Sequence, residues 1–146
     1  MAEDLDFRIR ARWSGSGRSG TGTISSGGQS IAYSAPAAMG GRGTGTSPEE
    51  LLIAAVGSCY SGTLARILQQ RGLPADRLDL GARGVVTGYP GDTRFARIVV
   101  EPSIEGGDAS RLQEYQEAAE AARRRCFIGG TLKETVEYIV GEVRVS

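Results

Sequence analysis

The sequence predicts an α+β fold, and three observations carry that reading. Short runs of alternating apolar and polar residues recur along the chain, bounded by Gly, Pro and Asp clusters. Only two stretches, residues 46–72 and 109–126, have helical length and helix-type punctuation. Helices this few, separated by strands that hairpin turns can join, belong to α+β rather than to a doubly wound sheet. The predicted order is β-β-β-α-β-β-α-β, in one domain spanning residues 1–146.

Residues 6–13 alternate Phe7, Ile9, Ala11 and Trp13 with Asp6, Arg8, Arg10 and Arg12, which predicts a strand with its apolar side covered and a solvated arginine face. After a turn at residues 14–17, residues 18–26 and 29–34 read as two strands joined by Gly27-Gly28. Residues 35–45 form a Gly- and Ala-rich loop before the first helix. The spacing of Gly40, Gly45 and Ser47 imitates a phosphate cradle, but Thr46 occupies the lysine position, so the loop reads as a connection.

The first helix, residues 46–72, is the centre of the fold. Ser47 is placed as N-cap, Pro48 as the first helical residue and Glu50, three residues after Ser47, as the closing residue of an S-x-x-E box. Gly72 and Pro74 close it. Residues 51–57 are apolar on every side, which predicts burial all round. Beyond the helix, residues 78–87 and 93–104 read as a hairpin around Gly88–Asp92, with Pro102 marking an edge or bulge. Residues 109–126 form an amphipathic helix capped by Asp108, with Leu112, Tyr115, Ala119 and Ala122 inward and Arg123-Arg124-Arg125 as a solvated end. Residues 136–145 give the last strand. One chain offers too little surface to cover the first helix, so an obligate homodimer is expected.

Composition narrows the chemistry. The chain carries 17 basic and 17 acidic residues, a net charge of zero that argues against a general nucleic-acid binder. There is no histidine, which excludes Ser-His-Asp and Cys-His catalysis and His-based zinc sites. No apolar run reads as a membrane span and the acidic N-terminus lacks an apolar signal core, so a cytoplasmic location is expected. In that compartment Cys59 and Cys126 point to redox chemistry rather than to a structural bridge.

Thr46-Ser47-Pro48-Glu49-Glu50-Leu51, then Ala54-Ala55 and Ser58-Cys59, resembles the first cysteine motif of the OsmC/Ohr family, the osmotically inducible and organic hydroperoxide resistance proteins. Cys126 near the end of the second helix and the strand order extend the resemblance over the whole chain. Phe127 departs from it, because many members have proline after the second cysteine.

The resemblance implies an intertwined homodimer and a thiol peroxidase that uses no metal, haem or flavin. It implies that Cys59 attacks the peroxide and becomes a sulfenic acid, that Cys126 closes a disulfide with it, and that an external dithiol reduces the pair. It also implies an arginine beside the thiolate, held by Glu49. A guanidinium suits that role because it stays charged when desolvated. Arg18 is the candidate and Arg42 the rival. On an ideal helix Glu49 and Cys59 stand about 15 Å apart along the axis and about 80° apart around it, so Glu49 can act only by orienting a long partner. An apolar site with Tyr60, Phe127 and Tyr138 would favour organic hydroperoxides over hydrogen peroxide. The alternative is a dimeric ligand-binding or redox-sensing module with little turnover.

Overall fold

The structure is a computed structural model in which residues 2–146 are described; Met1 lies outside them. The chain falls into two compact units, residues 1–51 and 52–146.

The first unit is built on a tight hairpin. Gly27 and Gly28 both have positive φ, the conformation a two-residue turn needs at both positions. They join β2 (Thr21–Ser26) to β3 (Gln29–Tyr33), and β1 (Arg10–Ser14) pairs antiparallel with the other side of β2. The first predicted strand is shortened at its start. Arg10 already pairs with Ser25, one residue from the end of β2, so residues ahead of Arg10 have no ladder partner. Its apolar side is also uncovered in the single chain: Phe7 is 85% exposed and Ile9 62%. Residues Gly17–Ser19 form a 3₁₀ turn, so Arg18 lies in that turn rather than opening β2.

The Gly-rich loop is held by its own chain. Gly41 N donates to Pro36 O at 2.9 Å, Gly43 N to Ala35 O at 3.1 Å and Thr46 N to Ala32 O at 3.0 Å. Thr44 N donates to Ser34 Oγ at 2.9 Å. Amides already committed to the loop cannot cradle a phosphate, in keeping with the missing lysine.

The predicted first helix forms as α1 (Pro48–Gln70). Ser47 caps it: its hydroxyl accepts from Glu50 N at 3.2 Å and donates to the Glu50 carboxylate at 2.8 Å. Val56, Gly57, Tyr60, Thr63, Leu64, Ile67 and Leu68 are buried at helical spacing. The opposite stripe, Ala54, Ala55, Ser58, Gly62 and Ala65, is exposed. The expected enclosure on all sides is therefore corrected for the single chain, which supplies one covering layer and not two. By length and composition α1 could also cross a membrane, contrary to the sequence expectation. Its hydroxyls are absorbed as in a core helix, with Ser61 bonded to Gly57 O at 2.8 Å and Thr63 to Cys59 O at 2.9 Å.

In the second unit β4 (Arg77–Thr87) and β5 (Arg94–Glu105) form a long antiparallel hairpin with a bulge at Val85/Val86. Two short strands, β6 (Glu137–Val140) and β7 (Arg144–Val145), pair with β5 in parallel. The predicted final strand is thus broken, and the break explains Pro102. This residue is buried in the central strand, not at an edge. β6 ends opposite Val100 and β7 begins opposite Ser103, so the neighbouring strand is interrupted where a residue without an N–H stands.

α2 (Leu112–Arg125) buries Tyr115, Ala118, Ala119, Ala121 and Ala122, while Leu112 is exposed. Asp108 caps the 3₁₀ turn before it, accepting from Ser110 N at 3.0 Å. A short helix not foreseen, α3 (Phe127–Leu132), follows directly. The core joins Val56, Tyr60, Leu64 and Ile67 of α1 to Ile98, Val100 and Ile104 of β5. Each fully buried aliphatic side chain there stabilises the unit by about 1.5–3 kcal/mol.

Candidate active site

Cys126 occupies the junction of α2 and α3. Its backbone φ of −69° and ψ of 101° leave the helical region, so one helix stops and the next starts on this residue. Cys126 N donates back to Ala122 O at 2.9 Å, and Gly130 N donates to Cys126 O at 2.8 Å. The corner turns the side chain inward. Cys126 is fully buried, and its thiol lies 3.8 Å from the Val56 carbonyl, one turn before Cys59 on α1.

Cys59 is half-buried against the same core, and both cysteines are free thiols. Cys59 packs against the core cluster that contains Cys126. Burial pushes the Cys126 thiol up; the Tyr138 hydroxyl and the Gly129 amide pull it down, and Cys59 pushes it further up. Neutral Cys126 is therefore the favoured state of the buried thiol.

Two tyrosines complete the cluster. Tyr60, on α1, donates to Ala119 O at 3.0 Å. Tyr138, on β6, is 7% exposed, and its hydroxyl makes no hydrogen bond of good geometry with any described residue. Burial raises both phenols far above their ordinary range. Tyr138 reaches this place because β6 runs parallel to β5, with Tyr138 opposite Ile98. Its ring lies against Gly129 of α3, in the space where a side chain at 129 would start. The sequence placed Tyr138 in an apolar site but gave it no contact with a particular thiol. Its place beside Cys126 depends on a parallel register that no local pattern carries.

Phe127 does not join this cluster. It is 72% exposed, which corrects its placement in an apolar site. It is the first residue of α3, where the backbone N–H needs no intrahelical partner, so the position accepts phenylalanine as well as the proline that suits a helix start.

The other predicted site residues belong to the first unit. Arg18 extends over Gly40: a Cβ built there would stand 3.2 Å from Arg18 Nη1. Arg42 donates to Ser19 O at 3.4 Å, so both arginines are tied to the same turn and loop. Glu49, in the first turn of α1, has Oε1 buried without a hydrogen-bond partner among the described residues. A carboxylate held dry and incompletely paired is costly, and it calls for a cation or donor. No group of His, Cys, Asp and Glu among the described residues could hold a metal ion.

Residues 41–140 match the family model for OsmC-like protein. The protein YmaD of Bacillus subtilis (strain 168), itself uncharacterized, is 32% identical over 137 residues, covering 92% of this chain and 91% of YmaD. The fold is similar to that of an OsmC-like protein from Mycoplasma pneumoniae, with a TM-score of 0.79 at 18% identity over 98% of this chain and 99% of that one. It is also similar to an organic hydroperoxide resistance protein from Elizabethkingia anophelis, crystallised with bound thiocyanate, with a TM-score of 0.74 at 18% identity over 99% and 100% of the two chains. By the family match over most of its length and its likeness to YmaD, the chain belongs to the OsmC/Ohr family of OsmC-like proteins.

Proposed function

We propose that this chain is a thiol-dependent peroxidase that reduces organic hydroperoxides to alcohols. The observation that supports it best is the meeting of two free thiols in different settings. Cys59 is half-buried and open to a substrate, whereas Cys126 is enclosed behind it. An attacking thiol must be reached by the peroxide; a resolving thiol is best kept neutral and dry until a sulfenic acid forms.

The Cys59 thiolate attacks the peroxide oxygen distal to carbon. The O–O bond breaks, the alkoxide leaves and takes a proton as alcohol, and Cys59 becomes the sulfenic acid. Cys126 then attacks the Cys59 sulfur, water leaves, and a disulfide remains. An external dithiol reduces it by exchange, ending as the oxidised partner. The apolar surroundings, Val56 and Tyr60 among them, favour an organic peroxide. Arg18 stabilises the Cys59 thiolate and Glu49 orients the guanidinium, with Arg42 as the rival cation. No cofactor is needed for these steps.

The active form in this reading is a cytoplasmic homodimer. Support comes from the exposed small-residue stripe of α1 and from the uncovered apolar side chains Phe7, Ile9 and Trp13, which a second copy would cover.

The test is the number of free thiols per chain before and after one equivalent of cumene hydroperoxide, with hydrogen peroxide in parallel. Rapid loss of both thiols with the organic peroxide, abolished by Cys59→Ser, is expected. Survival of both thiols in excess peroxide would overturn the reading and leave ligand binding between subunits as the alternative.

A further inference from the structure

Two buried tyrosines flank the cysteine pair, and only one of them is explained by packing. Tyr60 has a structural partner in the Ala119 carbonyl. Tyr138 has none among the described residues, although its hydroxyl is buried in the core cluster. A buried hydroxyl without a partner costs stability, and phenylalanine would fit the same space without that cost. The chain nevertheless keeps the hydroxyl, and Gly129 leaves the ring room to lie against α3.

We infer that the Tyr138 hydroxyl is the hydrogen-bond donor that stabilises Cys126 as a thiolate in the second half of the catalytic cycle. This inference rests on the peroxidase reading. Among the described residues, the Val56 carbonyl lies 3.8 Å from the Cys126 sulfur, and the groups that act on its charge are Tyr138, the Gly129 amide and Cys59, with no cation among them. The proton of Tyr138 is therefore the main source of stabilisation for a negative sulfur in a dry site. The phenol is itself pushed far up by burial, so it stays an O–H donor whenever Cys126 ionises.

The donor acts twice. When Cys59 is a sulfenic acid, Cys126 loses its proton, its sulfur attacks the Cys59 sulfur, the S–O bond breaks and the hydroxide takes that proton as water. When a dithiol attacks Cys59 in the disulfide, the S–S bond breaks and Cys126 leaves as a thiolate that the same hydroxyl receives. Tyr138 keeps its proton throughout. Oxygen transfer to Cys59 does not involve it.

The test is Tyr138→Phe, which keeps the ring. After mixing with cumene hydroperoxide, sulfenic acid should appear on Cys59 at the wild-type rate, while disulfide closure slows at least about tenfold. In a Cys59→Ser background, the ultraviolet thiolate titration of Cys126, referenced to the chain lacking both cysteines, should move up by about one pH unit. Tyr115→Phe, at a buried tyrosine outside the cluster whose hydroxyl donates to Pro74 O, is the control and should change neither. A 3-fluorotyrosine at 138, a stronger donor with the ring intact, should move the titration down. Wild-type closure and an unmoved titration in Tyr138→Phe would overturn the inference. If peroxide leaves the wild-type thiols intact, the peroxidase reading fails, and the Cys126 titration alone decides the role of Tyr138.

Discussion

Tyr60 and Ala119 are joined across the core of the second unit by a hydrogen bond of 3.0 Å, hydroxyl to carbonyl, tying α1 to α2. The bond holds the two helices that carry Cys59 and Cys126. Tyr60→Phe should cost about 1 kcal/mol, because a buried carbonyl loses its second donor. Tyr138→Phe should leave stability unchanged or raise it by up to about 1 kcal/mol, since it removes a buried hydroxyl with no hydrogen-bond partner among the described residues. Urea unfolding monitored by circular dichroism separates the two.

Stability should fall on the alkaline side. Cys126, Tyr60 and Tyr138 all titrate higher folded than unfolded, chiefly because burial disfavours their charged forms. The folded chain therefore holds protons that the unfolded chain releases above about pH 8.5 for the thiol and about pH 10 for the phenols. Their contribution is complete below those values and is lost as pH rises. Melting temperatures of the reduced protein should be flat across neutrality and decline beyond about pH 9. The decline should be shallower in Cys126→Ser over its first part.

Gly129 and Gly130 are adjacent in α3 and should respond oppositely to alanine. A Cβ at 129 would drive into the Tyr138 ring; one at 130 meets nothing within 4 Å. Gly129→Ala should cost about 1–3 kcal/mol by overpacking. Gly130→Ala should be neutral or stabilise by up to about 1 kcal/mol through helix propensity. Denaturant midpoints of the two variants check this.

Arg18→Ala should slow the first oxidation step by about 100-fold if its guanidinium supports the Cys59 thiolate. Arg42→Ala should then have a small effect, and the opposite ranking would transfer the role to Arg42. Stopped-flow rates of Cys59 oxidation in the two variants provide the ranking. Glu49→Gln should follow the arginine that matters, more weakly.

Ser58→Arg places a long cation in the exposed stripe of α1 without touching its buried face. Sedimentation velocity should show a dimer for the parent chain and a monomer for the variant. A dimer that persisted in Ser58→Arg would remove this stripe from the interface.

What the sequence disclosed, and what it withheld, follows the range of the interactions. α1 was legible because Ser47, Pro48, Glu50 and Gly72 are local signals of its two ends. The β4–β5 hairpin was legible from its turn. The start of β1 was misplaced because alternation continues past Arg10, while the partner strand that would pair with it does not. The α2–α3 corner at Cys126 carries no Gly or Pro at the break itself, so one helix was read as simply ending there. Cys59 and Cys126 were legible as a pair through a motif. Tyr138 was read into an apolar site, but its place beside Cys126 was not legible, because only the parallel alignment of β6 on β5 brings it there.

That alignment has a consequence for how the protein is made. β5 is complete by residue 105, but the strand that brings Tyr138 to the cysteines begins at Glu137. Until β6 pairs, one flank of β5 is open and the thiol of Cys126 is not yet enclosed by Tyr138. The nascent chain therefore passes through a stage in which both sulfurs are open to oxidants and to neighbouring chains. Only the late strands end that stage, by a pairing between residues 40 apart in sequence, which forms later than the local hairpins.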